Sequence, residues 1–228
     1  MSDPAAGDRH RQVRTIVAAI ERDLDEANAA REQALPACRR AIRAAGSSIR
    51  AVHRLDAAAA AALAGDSEAA VREAQRVLAP FPAVGHAGFL HDAEKEYVEA
   101  RCVAALVAGA PVPGPGPAPD GLAVSPTAWM RGLAEAASEL RRHLLDRLRE
   151  GDLARGQELL RAMDDVYDAL VAVDYPDALT GGLRRTLDAL RAVLERSRGD
   201  VTTTVLQTRL QRAIEGSSAT ERNGGDTE

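Results

Sequence analysis

The apolar residues of this chain are mostly Ala, Leu and Val, and no stretch alternates apolar and polar residues for long enough to form a sheet. Ala and Leu favour helices, whereas strands are enriched in β-branched and aromatic residues. Aromatic residues make up only 3% of the sequence, and a hydrophobic content of 46% is too high for a disordered chain. Because 228 residues can bury a substantial core, we predict a folded, all-α protein.

Proline and glycine divide the chain into six or seven helices, which we expect to pack as a single-domain bundle over residues 9–215. The clearest break is the Pro/Gly-rich segment 110–120, which we predict to be a loop between two helices. Residues 1–8 and 216–228 are small and polar, and we expect them to be disordered tails. The expected helices are His10–Asp56 with a kink or break at Pro36, a short helix capped at Gly65-Asp66-Ser67 and ending at Leu78, His86–Ala108, Ser125–Glu150, Leu153–Val173, Asp177–Ser197 with a candidate break at Gly181-Gly182, and Gly199–Ile214.

Charge and cysteine content narrow the functional classes. The formal net charge is −5, so the chain has no overall basic field, and any binding to nucleic acid must use a local patch. Cys38 and Cys102 lie far apart and form no metal-binding or redox motif, which predicts buried thiols in a reducing compartment. No apolar run is long enough to cross a bilayer, and we see no secretory leader. We therefore expect a cytoplasmic protein.

Five acidic residues are spaced so that they form two rows on predicted helices. Asp92, Glu96 and Glu99 follow an i, i+4, i+7 pattern, and Glu135 and Glu139 are four residues apart among small residues that permit close helix packing. If these faces meet, their carboxylates converge into a set of hard oxygen ligands that suits Mg²⁺ or Mn²⁺. The alternative is a solvated, salt-bridged surface, and the spacing does not decide between the two.

Arginines form a third pattern, on the first predicted helix. Arg39, Arg43, Arg50 and Arg54 fall within a narrow arc at helical periodicity, so they could follow a phosphate backbone. The alternative is pairing with acidic residues of neighbouring helices. Lys95 is the only lysine in the chain, a scarcity that we attribute to base composition. The sequence contains none of the glycine-rich phosphate-binding loops or nucleophile motifs of nucleotide hydrolases and serine hydrolases.

Several blocks, in order along the chain, resemble the translin family, which includes translin-associated factor X. The blocks are Arg50-Ala-Val-His-Arg54, Gly88-Phe-Leu-His-Asp92, Glu96-Tyr-Val-Glu-Ala100, Ser138-Glu-Leu-Arg-Arg142 and Tyr175-Pro-Asp-Ala-Leu-Thr-Gly-Gly-Leu-Arg-Arg185. The resemblance implies an all-α bundle of about seven helices, binding of single-stranded RNA and DNA, and assembly into hollow homo-oligomers, typically octamers. It also implies the metal-dependent endoribonuclease site of the factor X type.

The resemblance assigns roles to individual residues. It places the acids of the family's nuclease site on Glu96, Glu99, Glu135 and Glu139. We expect Glu99 and Glu139 to hold Mg²⁺ or Mn²⁺ and Glu96 and Glu135 to complete the site and activate water. From their helical spacing, we expect Arg39, Arg43, Arg50 and Arg54 to hold the nucleic acid. This chain departs from the family pattern at Ser138, where glycine is usual, and at Glu135, where aspartate is usual. We therefore expect a single-stranded RNA endonuclease. The alternatives are a non-catalytic binding oligomer with structural carboxylates and an oligomer that binds no nucleic acid.

Overall fold

The structure is a computed structural model, and it describes residues 4–85, 88–116 and 122–223. These residues form helices and loops and include no strand, which confirms the predicted all-α fold. None of the described helices is long and apolar enough to span a membrane. The helices are α1 Pro4–His53, α2 Ala57–Leu78, α3 Pro82–Gly85, α4 Phe89–Ala108, α5 Pro126–Arg149, α6 Leu153–Val171, α7 Asp177–Thr180 and α8 Leu183–Asn223.

Helix α5 lies at the centre of the bundle. It packs against α4, α6 and α8, and α4 in turn packs against α1 and α2. Its start matches the sequence prediction, because Ser125 accepts a hydrogen bond from the backbone N–H of Ala128 and Pro126 occupies the first turn. The described part of the 110–120 loop, residues 110–116, is non-helical, and residues 117–120 lie outside the described residues.

The predicted start of α2 is wrong. The helix begins at Ala57, where the Asp56 side chain accepts a hydrogen bond from the N–H of Ala59 at 3.0 Å. The preceding turn is made by Leu55, which adopts a left-handed φ of 61°. Ser67, expected to be in the cap, lies inside the helix and donates to the Ala41 carbonyl of α1 at 3.0 Å. Its hydroxyl therefore joins two helices instead of starting one.

Helix α1 continues through Pro36 and helix α8 continues through Gly199, so neither helix breaks at these residues. Pro36 lies within α1, where buried Ala34, Ala37 and other small residues pack against α2 and α4 and offset the loss of one backbone hydrogen bond. Gly199 lies within α8, and beside it Arg141 of α5 binds the Asp200 carboxylate at 2.7 Å. The break at Gly181-Gly182 is present, with both glycines at positive φ.

Both terminal helices extend into the segments that we expected to be tails. Helix α1 begins at Pro4 and α8 ends at Asn223. From residue 8 to residue 29, α1 has no buried side chain, and burial starts at Ala30. The described residues therefore bury no side chain between residues 8 and 29 of α1.

The close packing of α4 against α5 depends on one glycine. An added Cβ at Gly132 would lie 2.6 Å from the Lys95 carbonyl oxygen and 2.9 Å from Val98 Cβ. The neighbouring Ala134, Ala136 and Ala137 are fully buried. This contact confirms that the small residues of α5 allow close helix approach, and it fixes the register in which the acidic residues of the two helices meet.

Candidate metal and nucleic-acid site

Three of the predicted site residues come together across the α4–α5 contact. Glu96 and Glu99 of α4 and Glu135 of α5 each offer a carboxylate oxygen, and the three oxygens lie within 4.8 Å of one another. Glu96 and Glu99 share a face because they are three residues apart on a helix. Glu135 reaches them because it lies one turn after Gly132, at the closest approach of the helices. We call these three residues the carboxylate cluster.

A lysine that the sequence analysis did not assign to the site lies in the carboxylate cluster. Lys95 Nζ donates to Glu96 Oε1 at 3.0 Å and also donates to Glu135 Oε2. The residue is only 8% exposed. Burial by itself lowers the pKa of Lys95, but its hydrogen bonds to Glu135 and Glu96 and their negative charges outweigh burial and raise that pKa. Lys95 is therefore a charged ammonium that neutralises part of the cluster.

Glu99 is the most buried member of the carboxylate cluster and receives no hydrogen bond from Lys95 among the described contacts. Burial, followed by the charges of Glu96 and Glu135, raises the pKa of Glu99 to about 8, although Lys95 opposes the shift. At neutral pH, Glu99 is therefore mostly protonated unless another cation is present. A divalent ion beside it would favour the ionised form and would exchange with that proton.

Glu139, the fourth predicted acid, lies outside the set of mutually close oxygens. Its Oε2 accepts a hydrogen bond from His53 Nε2 of α1 at 3.1 Å, and 42% of its side chain is exposed. Its charge also contributes to the raised pKa of Glu99, so it belongs to the same electrostatic environment. Asp92, the first acid of the predicted row, is exposed, and the ion pair found for it is with His91 at 3.9 Å.

His53 links the arginine-bearing helix α1 to this site. Its side chain is only 4% exposed. While Nε2 binds Glu139, the buried Nδ1 has no hydrogen-bond partner among the described residues. The sequence showed His53 only as a neighbour of the arginine row, because its partner lies 86 residues further along the chain.

The four predicted arginines are all exposed. Within the described part of the chain, none of Arg39, Arg43, Arg50 and Arg54 forms an ion pair, and Arg50 donates to Ser47 Oγ at 2.8 Å. Arg50 and Arg54 flank His53, which brings this end of the row to the Glu139 side of the site. An open groove continues from there along α5 and is lined by Ser138, Glu139, Arg141, Arg142, Leu145, Asp146 and Arg149.

Solved structures with the same fold superpose on this chain. The crystal structure of AfC3PO superposes with a TM-score of 0.75 at 27% identity, covering 84% of this chain and 97% of that chain. A structure of an AfC3PO–duplex RNA complex superposes with a TM-score of 0.66 at the same identity and coverage. These neighbours are translin-type proteins. This chain has the translin fold.

A third solved structure shares the fold, and the sequence comparisons add no further assignment. Apo-NeC3PO superposes on 82% of this chain with a TM-score of 0.71, and its 15% identity shows the shared fold alone. An uncharacterised protein of Methanocaldococcus jannaschii is 32% identical over 83 residues, which span 36% of this chain and 37% of that protein. No protein-family model matches.

The two positions at which this chain departs from the translin sequence pattern have visible structural consequences. Glu135, one methylene longer than the usual aspartate, reaches the Lys95 ammonium on the neighbouring helix. Ser138, which replaces the usual glycine, donates to the Ala134 carbonyl within α5 at 3.3 Å. The serine is therefore accommodated within the helix, and the longer acid keeps its carboxylate in the cluster.

Proposed function

We propose that this protein binds single-stranded nucleic acid and cleaves RNA with the help of Mg²⁺ or Mn²⁺. The observation that carries the proposal is the carboxylate cluster, where three acids from two helices meet in a partly buried setting. The fold neighbour whose structure contains duplex RNA supports a nucleic-acid ligand. The proposal for this chain favours single strands because of its resemblance to translins.

The donor set fits a hard divalent cation. All three ligand atoms are carboxylate oxygens, which Mg²⁺ and Mn²⁺ prefer, and no cysteine or histidine joins them in the described cluster. Two opposite ligands of one Mg²⁺ lie about 4 Å apart, so the oxygens of the cluster are already close to the required spacing. Lys95 occupies part of the same space with a single positive charge, and it would have to move aside.

Each residue then has a proposed role. Glu99, together with Glu96 and Glu135, holds the ion, and Glu139 at the edge of the cluster orients or deprotonates the attacking water. When bound, such an ion lowers the pKa of its water and neutralises charge on the phosphate. His53 fixes Glu139 from α1. The exposed arginines Arg39, Arg43, Arg50 and Arg54 bind the phosphates of the strand.

A non-catalytic binding protein is the second candidate, and Lys95 is the observation that favours it. An ammonium already bound to two of the three carboxylates makes a stable site that needs no metal. In that case the cluster joins α4 to α5, and the arginines alone carry the function. Binding of Mn²⁺ separates the two candidates, because only the nuclease requires it.

The deciding experiment incubates the purified protein with labelled single-stranded RNA in Mg²⁺, in Mn²⁺ or in EDTA. The nuclease proposal expects cleavage in either metal and none in EDTA. Glu99→Ala should abolish cleavage, whereas Glu73→Ala, which removes an exposed acid paired with Arg40, should leave it unchanged. If wild type binds RNA but does not cleave it in either metal, the second candidate is correct.

We also propose that the protein functions as a homo-oligomer, for which the family resemblance suggests an octamer. The unburied first half of α1 supports this, because its exposed apolar residues have no partner within the described chain. Light scattering tests the proposal. A mass near the 24.1 kDa of one chain across micromolar concentrations would contradict it.

A further inference from the structure

The exposed first half of α1 carries a regular apolar seam. Val13, Val17, Ile20 and Leu24 are spaced by four, three and four residues, and each is 45–62% exposed. This is the d, a, d, a spacing of a coiled coil, in which such residues face a partner helix. Ile16, 53% exposed, lies beside the seam at a g position. A helix of this kind is only marginally stable in water without a partner.

The charges beside the seam show which partner fits. Between residues 8 and 26, the basic residues Arg9, Arg11 and Arg14 lie towards the amino end. The acidic residues Glu21, Asp23, Asp25 and Glu26 lie towards the carboxyl end, with Asp8 and Arg22 as the exceptions. A second copy of the same helix running in the opposite direction would therefore place basic against acidic residues along its whole length.

We propose that α1 pairs with α1 of a second copy of this chain as an antiparallel coiled coil. The apolar layers join Val13 to Leu24 of the other copy and Val17 to Ile20, and each layer occurs twice about a two-fold axis. The e position Arg14 then lies against Glu21 of the other copy. A parallel pair would instead place the g position Arg9 against Arg14, which is repulsive. Charge therefore selects the antiparallel arrangement.

This inference names one contact of the proposed oligomer and rests on that proposal only in requiring more than one copy. It is independent of the carboxylate cluster and of RNA cleavage. Within the protomer no side chain from residue 8 to 29 is buried. Substitutions in the seam should therefore leave the fold of the single chain intact, which circular dichroism can verify.

Cross-linking tests the pairing directly. The native cysteines, Cys38 and Cys102, are free and buried, so an exposed engineered cysteine is the reactive one. The double variant Val13→Cys/Leu24→Cys places two thiols about 16 Å apart along one helix, too far for a short bismaleimide to join within a chain. We expect this variant to give a covalent dimer in high yield, because the thiol introduced at position 13 of each copy faces the thiol introduced at position 24 of the other.

Three matched variants make the result specific. Val13→Cys alone should not cross-link, and Thr15→Cys/Arg22→Cys, on the opposite face of the helix, should not cross-link either. Adding Ile20→Glu to the double variant should lower the dimer yield at least tenfold, whereas adding Ala18→Glu outside the seam should not change it.

Each other outcome overturns a defined part of the inference. Strong cross-linking by Val13→Cys alone refutes the antiparallel direction. An oligomer by light scattering that gives no cross-link in the double variant refutes this surface and leaves the proposed assembly standing. A monomer refutes both the assembly and the pairing.

Discussion

Replacing Lys95 by methionine should tighten the binding of Mn²⁺ to the carboxylate cluster. In the metal-free protein the Lys95 ammonium binds Glu96 and Glu135, so a divalent ion must displace it from both. Methionine keeps most of the length and the apolar contacts of the side chain and removes the competing charge. The substitution therefore measures how strongly the ammonium and the metal compete.

The expected size follows from the burial of the three partners. The side chains of Lys95, Glu96 and Glu135 are 10%, 28% and 30% exposed, so solvent screens their interaction only in part. A hydrogen bond to a charged group contributes about 1.5–3 kcal/mol net. If Mn²⁺ no longer has to displace even one such hydrogen bond of Lys95, it should bind about tenfold more tightly. We expect the Kd for Mn²⁺ to fall by about tenfold or more near pH 9, about one pH unit above the pKa of about 8 for Glu99, where this carboxyl is largely ionised.

The same substitution should destabilise the metal-free protein. The remaining carboxylates lose their neutralising charge, and some of them must bind protons to relieve the repulsion. We expect the free energy of unfolding to fall by about 1–3 kcal/mol in EDTA, less than the loss for a fully buried pair. Saturating Mn²⁺ should recover most of this loss through preferential binding to the folded state.

Mn²⁺ binding is measured by calorimetry or from the spin-resonance signal of the free ion. Arg40→Met is the matched control, because Arg40 pairs with Glu73 at 2.6 Å on the surface outside the cluster. Since Lys95 is the only lysine in the chain, acylation of this residue followed by mass spectrometry gives a second measurement. Its acylation should be slow in EDTA and faster in Mn²⁺. An unchanged or weaker Mn²⁺ affinity in Lys95→Met would refute the competition.

Four further outcomes are expected. Glu99→Ala and Glu139→Ala should each abolish metal-dependent RNA cleavage with little change in RNA affinity, as measured by cleavage and binding assays on the same preparations. Replacing Arg43 and Arg50 together by Ala should weaken single-stranded RNA binding and flatten its salt dependence at unchanged helicity; unchanged affinity would show that the arginine row does not bind RNA. Burial, followed by the charges of Glu96 and Glu135, raises the pKa of Glu99 to about 8, so the folded protein binds a proton at Glu99 more tightly than the unfolded chain does. The free energy of unfolding in EDTA should therefore decrease as the pH rises from about 4.5 to about 8. Chemical denaturation of Glu99→Gln should show less of this decrease. Gly132→Val should lower the free energy of unfolding by about 1–3 kcal/mol, since its side chain would collide with the Lys95 carbonyl and with Val98.

Local chemistry in the sequence predicted most of the helices. The cap at Ser125 with Pro126, the glycines at 181 and 182 and the helical spacing of Glu96 and Glu99 all depend on residues within one or two turns of one another. A break at Pro36 and a new helix starting at Gly199 are both wrong, because packing against neighbouring helices outweighs a local preference of a few kcal/mol. The local sequence therefore predicts the start and end of a helix correctly only where packing against distant residues does not favour another structure.

The composition of the site was decided by tertiary structure. The sequence placed Glu96 and Glu99 on one face of a helix, but it could not show that Glu135 meets them while Glu139 turns to His53. It also gave no reason to place Lys95 between carboxylates that are 1 and 40 residues away. Those contacts depend on the register of α4 against α5, which the missing Cβ of Gly132 sets to within a few ångströms. Helical periodicity fixes which residues share a face, and only the packing of one helix on another determines which faces meet.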